Sequence, residues 1–495
     1  MKYILAHDLG TSGNKATLYS EEGKLVASVT MEYELLLSNG NWAEQRAEDW
    51  WRAVCDSTRK LLENVDPADI AAVSFSGQML GCLCVDEKCR PLANSIIWAD
   101  MRSSEEEKLI RERIAETDFY RITGHRISPA YSLFKLLWMK RNHPDVYAKT
   151  FQMLNAKDFI LYRLTGNFLT EYSDASSTCM MDLNTLEWSQ ELMDVAGLDI
   201  RKLPELHSSI DLAGKITPEA ARATGLLEGT PVILGGGDGA CAAVGTGCVR
   251  EGVANCVLGT SSWISITTDE PIYDEGMTTF NFAHIVPGKI MPTGTIQTGG
   301  GALSWAVKTL YGKEDGVYPA MQKEAAVSPP GARGLLFLPY LIGERSPRWD
   351  AFARGSFVGL TLDHNRGDMI RAVMEGVAMN LDLVLKVFTK RVNIQELIAI
   401  GGGARTDLWL QIFADVFGKT IVKPNFLEEA TSMGAAITGG VGVGLFENFQ
   451  VIDRFLQPEE SFSPDLEKTA VYDAKFKVLF DEAYFALKDI FRKLA

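Results

Sequence analysis

The sequence predicts an α/β protein made of two similar halves that meet around a ligand. Three observations carry that expectation. Short apolar runs end repeatedly in glycine, helical patterns alternate with them, and one strand–turn pattern occurs twice, half a chain apart. Continuous apolar runs bounded by glycine read as strands buried on both faces. Strands alternating with helices indicate an α/β architecture.

The elements follow in order. Residues 4–6 run into Asp8-Leu9-Gly10-Thr11-Ser12-Gly13, and residues 232–234 run into Gly235-Gly236-Gly237-Asp238-Gly239. Residues 256–258 lead to Gly259-Thr260-Ser261-Ser262, and residues 397–400 to Gly401-Gly402-Gly403-Ala404. Glycine at a strand end permits a tight turn and a close backbone approach to a ligand. Residues 368–390 place Met369, Val373, Val377, Leu381 and Leu385 four apart, which predicts one apolar face on a long helix. Tyr472, Phe476, Phe480 and Tyr484 repeat that spacing near the C-terminus. Leu9-Gly10-Thr11-Ser12 recurs as Leu258-Gly259-Thr260-Ser261, each time after a strand and before more strand-like sequence. We read this echo as a duplicated fold. Its boundary is expected near residues 247–255, giving halves 1–250 and 251–495. No low-complexity linker separates them, so the halves must pack closely.

Composition narrows the functional classes. A length of 495 residues suits two large domains. The balance of 49 basic against 64 acidic residues, net -15, argues against nucleic acid, whose phosphates are held by a surplus of Lys and Arg. The first apolar run is too short for a signal peptide, and no charge-free run of about 18 residues suggests a membrane span. Cys82, Cys84 and Cys89 are close enough to raise a metal site. No CxxC pair or finger-like His spacing accompanies them, so buried strand cysteines in a reducing, cytoplasmic setting are expected.

Several chemistries can be weighed on motifs. A Walker A loop is absent: Gly418-Lys419-Thr420 matches its end, but Phe413 stands where the first glycine belongs. Gly235-x-Gly237-x-x-Ala240 imitates a dinucleotide fingerprint. However, Asp238 would lie beside the pyrophosphate, and Glu251 falls in a turn rather than ending a second strand. The turn at Gly10–Gly13 suits phosphate better. Its backbone N–H groups can form an anion-binding nest, Thr11 and Ser12 add hydroxyls, and Lys15 adds a positive charge. Asp8, at the strand end, can hold Mg2+ directly or through water. The competing reading is an ordinary hairpin. Asp238 is the outstanding catalytic candidate, because a lone carboxylate among small residues needs a substrate hydroxyl or a metal beside it. The competing role, capping the following helix, is compatible with catalysis.

Ten segments, in order, carry a wider resemblance: DLGTSGNK (8–15), GQMLG (77–81), WADMR (98–102), AKDF (156–159), SDAS (173–176), GGGDGACAA (235–243), LGTSS (258–262), FLPYLIGERSP (337–347), GSFVGLT (355–361) and GGGARTDLW (401–409). Over nearly its whole length the chain resembles the FGGY family of carbohydrate kinases, in its xylulokinase-like branch. The resemblance implies two duplicated actin-like ATPase (ribonuclease H-like) domains with an interdomain cleft, the first mainly sugar-binding and the second mainly ATP-binding. It implies that Asp238 is the general base for a primary hydroxyl of the sugar. Asp8 would help hold Mg2+, with Thr11, Ser12 and Lys15 near the phosphates. Gly259 and Thr260 match a second phosphate-contacting turn, and Gly300, Gly403 and Asp407 match nucleotide-contacting positions. Gln78, Met79, Leu80, Trp98, Asp100 and Arg102 match the sugar side.

The departures bear on the sugar. Xylulokinases commonly carry Met-His where this chain has Met79-Leu80, and Trp-Asn-Asp where it has Trp98-Ala99-Asp100. Asn commonly follows the base, where Gly239 stands here. Trp-Ala-Asp followed by Arg also occurs in gluconate kinases, and the segment expected of glycerol kinases is missing. The expected activity is ATP-dependent phosphorylation of an open-chain sugar, a ketopentose such as D-xylulose. Another ketose, a polyol or an aldonate is the alternative, and a catalytically silent sugar sensor the alternative of a different class. The expected partner is a small-molecule sugar, without nucleic acid or membrane, and a homodimer is the assembly considered.

Overall fold

The computed structural model describes residues 1–313 and 316–494. Among them lie two seven-stranded sheets. The first contains β1 (Tyr3–Leu9), β2 (Gly13–Ser20), β3 (Leu25–Glu32), β4 (Ile70–Gly77), β5 (Leu212–Lys215), β6 (Pro231–Ile233) and β7 (Gly236–Gly237). The second contains β8 (Ala254–Leu258), β9 (Ser262–Ile266), β10 (Phe280–Ala283), β11 (Ile290–Ile296), β12 (Glu396–Ile400), β13 (Thr420–Pro424) and β14 (Pro458–Phe462).

The two sheets share one plan. In the first, β1, β2 and β3 form an antiparallel ribbon, and β4 then β6 extend it in parallel on the other side of β1. In the second, β8, β9 and β11 form the ribbon, and β12 then β13 extend it in parallel beside β8. This is the duplicated actin-like, ribonuclease H-like architecture. The repeated Leu-Gly-Thr-Ser segment occupies the same place in both: it leaves the first strand and turns into the second. The strands are central and their apolar runs are buried on both faces, as in Ile4, Leu5 and Ala6 at 0% exposure.

Helices cover the sheets: α1 (Ala47–Leu62), α2 (Ser132–Asn142), α3 (Asp238–Gly245), α4 (Gly300–Tyr311), α5 (Arg366–Thr389), α6 (Asp407–Phe417), α7 (Ala430–Gly442) and α8 (Lys477–Leu494). The four-residue spacing in α5 is only part of its pattern. The helix is buried on nearly every side, because α4, α6 and β9 all pack against it. Asn365 and Asp368 close its N-terminus as a reciprocal capping box. Tyr472, Phe476, Phe480 and Tyr484 are buried as expected.

Helix α7 comes from the second half of the chain but lies on the first sheet, against β1, β4 and α3. Small residues make that approach possible. A Cβ on Gly434 would fall 1.9 Å from the Cys241 carbonyl oxygen, and one on Gly245 would fall 1.8 Å from the Ala430 carbonyl oxygen. All eight cysteines are buried and unpaired. Cys84 lies in a short strand, but Cys89 occupies a turn at φ 55°, not the strand position expected of it. No helix among the described residues is long and apolar enough to cross a membrane.

Candidate active site

The β1–β2 turn is tight. The Gly10 N–H donates to the Gly13 carbonyl at 3.0 Å, so that amide is spent inside the turn and is not available to an anion. The expected nest is therefore smaller than the glycine pattern suggests. The turn is braced from below: Gln45 Nε2 donates to the Thr11 carbonyl at 2.6 Å, and the Tyr33 hydroxyl donates to the Gly10 carbonyl at 2.5 Å. Asp8 sits at the end of β1 opposite Lys15 of β2. Ser76 donates to its Oδ1 at 2.9 Å. Burial raises the Asp8 carboxyl above its ordinary range, while the Ser76 hydrogen bond and the Lys15 charge oppose the rise. Lys15 reaches across to the second half of the chain, 3.6 Å from Glu429 and 3.5 Å from the Glu428 carbonyl.

Asp238 is the first residue of α3, with Gly237 before it as N-cap. Its Oδ1 accepts the Gly239 N–H at 2.7 Å. The preceding backbone is fixed by Ser173, whose hydroxyl accepts the Gly237 N–H at 3.0 Å and donates to Glu171. Burial, with the negative charge of Asp8 adding to it, pushes the Asp238 carboxyl up to about 7 from its ordinary 3.8. Asp8 and Asp238 thus sense each other electrostatically, one at the end of β1 and the other at the start of α3.

Asp238 lines a cavity of about 680 Å³ between the two halves. Met79, Leu80 and Trp98 line it from the first half, and Trp263, Gln297 and Arg345 from the second. Leu80 adopts φ 63°, a left-handed conformation uncommon for a residue with a branched side chain. Trp98 Nε1 donates to the Thr11 hydroxyl at 2.8 Å, which ties the cavity wall to the β1–β2 turn.

Three of the expected sugar-side residues do not line this cavity. Asp100 is 0% exposed, and both its oxygens are taken by Arg102, with the Ala43 N–H adding a 2.6 Å bond. Arg102 is stacked on Trp42, 3.8 Å from the ring centroid, and also bonds Glu44 at 2.8 Å. The pair forms a buried brace, and neither residue is among those that line the cavity. Gln78 donates to Gln45 at 2.7 Å and to the Gly10 carbonyl at 3.4 Å, so it supports the turn from behind.

The second turn is organised differently. Gly300 donates to the Gly259 carbonyl at 2.7 Å, and Gly299 and Gly301 donate to the Thr260 carbonyl. The start of α4 is thereby locked onto the β8–β9 turn. A Cβ on Gly300 would stand 2.6 Å from the Gly259 carbonyl oxygen, and one on Gly403 would stand 2.8 Å from Leu258 Cβ. Gly259, Thr260, Gly300 and Gly403 therefore gather around the end of β8, outside the cavity itself. Asp407 begins α6 and pairs with Lys423 at 3.1 Å.

Residue patterns alone did not single out Glu344, Arg345 or Lys135. Glu344 accepts N–H groups of Gln297 and Arg345 and the side-chain amide of Asn380, and burial pushes its carboxyl up to about 7. Glu344 and Arg345 lie within the segment FLPYLIGERSP, which marked the place but not the roles. Lys135 is fully buried on α2, in an apolar stretch that carries no motif.

Comparison with known proteins is consistent along the chain. The family model described as "FGGY family of carbohydrate kinases, N-terminal domain" matches residues 3–245, and its C-terminal counterpart matches residues 254–443. The chain is 34% identical to the xylulose kinase of Bacillus subtilis, over 97% of this chain and 96% of that one. It is 32% identical to the gluconokinase of Bacillus licheniformis, over 100% of this chain and 98% of that one. The crystal structure of ligand-bound xylulose kinase from Lactobacillus acidophilus superposes with a TM-score of 0.95 at 31% identity, covering both chains fully.

Proposed function

The chain belongs to the FGGY family of carbohydrate kinases, and from that premise we propose that it transfers the γ-phosphoryl group of ATP to a primary hydroxyl of an open-chain sugar, a ketopentose such as D-xylulose. One observation carries the mechanistic part: the Asp238 carboxylate faces a cavity shared by both halves, with a pKa pushed up to about 7. A base poised near neutrality suits removal of a hydroxyl proton. Gly239 holds one carboxylate oxygen, and the other is left for the sugar. As the sugar oxygen forms its bond to phosphorus, the proton passes to Asp238 and the bond from phosphorus to the ADP oxygen breaks. Phosphoryl transfer depends mainly on positioning and charge stabilisation, and the cleft supplies both.

In this reading residues 1–250 chiefly hold the sugar, through Met79, Leu80, Trp98 and Asp238. Residues 251–495 chiefly hold the nucleotide, through Gly259, Thr260, Gly300, Gly403 and Asp407. Thr11, Ser12 and Lys15 face the phosphates, and Lys15 exchanges Glu429 for phosphate oxygen. The residues also fit Mg2+. Asp8 keeps Oδ2 free of the Ser76 bond, and the mutual repulsion of Asp8 and Asp238 is the kind a cation relieves. Among the described residues no group of three or more His, Cys, Asp or Glu is placed to hold a metal. Asp8 would therefore share the ion with phosphate and water, the usual arrangement for Mg2+. When bound, the ion neutralises charge on the phosphates.

A second reading has its own observation. Arg111, Arg126 and Arg345 line the cavity, and Arg345 rests over Phe280 without an ion pair among the described residues. An aldonate would bring a carboxylate to that end. Sugar-dependent ADP release across ketopentoses, polyols and aldonates tests both readings. Release with D-xylulose supports the first, release with aldonates alone supports the second, and release with none overturns the kinase assignment for open-chain sugars.

A further inference from the structure

Among the described residues, Lys135 is the one buried cation whose three hydrogen bonds all go to backbone carbonyls at or next to the cavity wall. Its ammonium donates to the Leu80 carbonyl at 2.7 Å, the Ile97 carbonyl at 2.8 Å and the Ala130 carbonyl at 2.6 Å. Those carbonyls belong to three segments far apart in sequence. Leu80 itself, Trp98 after Ile97, and Ala130 with Tyr131 after it all line the cavity. The side chain is 0% exposed and makes no ion pair among the described residues.

We propose that Lys135 is a positioning residue for the sugar: one ammonium clamps three separate wall segments at the spacing the substrate requires. The inference rests on reading this cavity as the sugar site.

The physical grounds are specific. Leu80 is held at φ 63°, a conformation that a residue with a Cβ does not keep unaided. Its N–H is bonded by the Ser177 hydroxyl at 3.3 Å and its carbonyl by Lys135, so both sides of the strained residue are pinned. The Ile97 carbonyl also accepts the Asp100 N–H at 3.1 Å. The Arg102–Asp100 brace and the lysine therefore meet on one peptide, immediately before Trp98. A Lys ammonium has three donors and no acceptor, and here each donor has one carbonyl. Burying it is costly unless those bonds repay the desolvation, and a packing role alone would be met by Leu or Met at lower cost. Lys135 itself does not touch the phosphate-side turn; the links run through intermediates, Trp98 to Thr11 and Gln78 to the Gly10 carbonyl. The effect should therefore fall on the sugar and not on the nucleotide.

The test is Lys135→Met, which keeps length and apolar volume and removes all three donors. In a folded variant we expect the sugar KM to rise ten-fold or more, with the KM for ATP within two-fold of wild type. Calorimetric sugar binding should weaken in parallel. Backbone amides of residues 78–81, 97–100, 128, 130 and 131 should exchange faster with deuterium than in wild type. An unchanged sugar KM, or an equal loss for sugar and ATP, overturns the proposal. If Lys135→Met does not fold, Lys135→Gln, which retains two donors, is read by the same quantities. Failure of both variants to fold assigns the lysine to stability and also overturns it. A wild-type enzyme that releases ADP with no sugar in the panel would instead sink the reading of the cavity.

Discussion

Replacing Asp238 by asparagine should abolish most turnover and, above neutral pH, make the protein more stable. The Asp238 carboxyl is pushed up to about 7 from 3.8, by burial first and by Asp8 second. A carboxyl whose folded pKa lies above its unfolded value holds its proton more tightly when folded. Stability is therefore highest below the unfolded value and declines as pH rises from about 4 to about 7. At roughly 1.36 kcal/mol per pKa unit, the rise sets a ceiling of about 4 kcal/mol. Because the carboxylate faces an open cavity, where water and ions screen it, about 2 kcal/mol is the working expectation. Asparagine never ionises and escapes that penalty. The assay is urea unfolding of both proteins at about pH 5 and about pH 8 without nucleotide or magnesium, beside kcat. The variant should gain on wild type between the two pH values, and its kcat should fall by ~10²–10⁴-fold. A stability gap that does not change with pH, together with more than about a tenth of wild-type kcat, would refute both the buried charge and the base.

Asp8→Ala should lower productive use of Mg·ATP while sugar binding stays measurable by calorimetry, and Lys15→Ala should do so more mildly because backbone N–H groups share the phosphate. Loss of sugar affinity with normal ATP kinetics would contradict that assignment. Leu80→His should raise kcat/KM for D-xylulose relative to other accepted sugars, by about 1–3 kcal/mol of discrimination if a facing hydroxyl gains a partner; an unchanged ratio removes this position from specificity. Gly434→Ala should lower the melting temperature, because its Cβ would fall 1.9 Å from the Cys241 carbonyl oxygen and overpacking costs about 1–3 kcal/mol. A wild-type melting curve would show that α3 and α7 can separate freely.

The architecture was legible because its signals are local. Leu9-Gly10-Thr11-Ser12 and its echo at Leu258 each mark where a first strand turns into a second. Asp238 stood out because a carboxylate among small residues has few structural uses, and the structure places it on the cavity wall. The place of Asp100 and Arg102 away from the cavity wall was not legible, because a motif preserves a residue's position in the chain but not the direction of its side chain. Both point into a brace formed with Glu44, Ala43 and Trp42, and those partners are distant in sequence. Lys135 was silent because nothing about a lysine in an apolar helix reveals that three carbonyls converge on it. The nest at Gly10 was overestimated because the Gly10 N–H is consumed by Gly13, a bond that glycine spacing does not show.

The placement of α7 on the first sheet has a consequence for synthesis. One face of β1 and β4 is covered by a helix that begins at Ala430, almost two hundred residues after α3 ends at Gly245. At roughly 5–20 residues per second, the ribosome needs about 10–40 s to make the intervening chain. During that interval Ile4, Ala6 and Ala72, all 0% exposed in the finished protein and packed in one cluster with Ile437, lack their cover. The first half of the nascent chain therefore waits with an apolar sheet face open, a natural binding site for a chaperone. A truncated chain ending after α3 should be recovered aggregated or chaperone-bound, whereas one extended through residue 442 brings the missing helix with it.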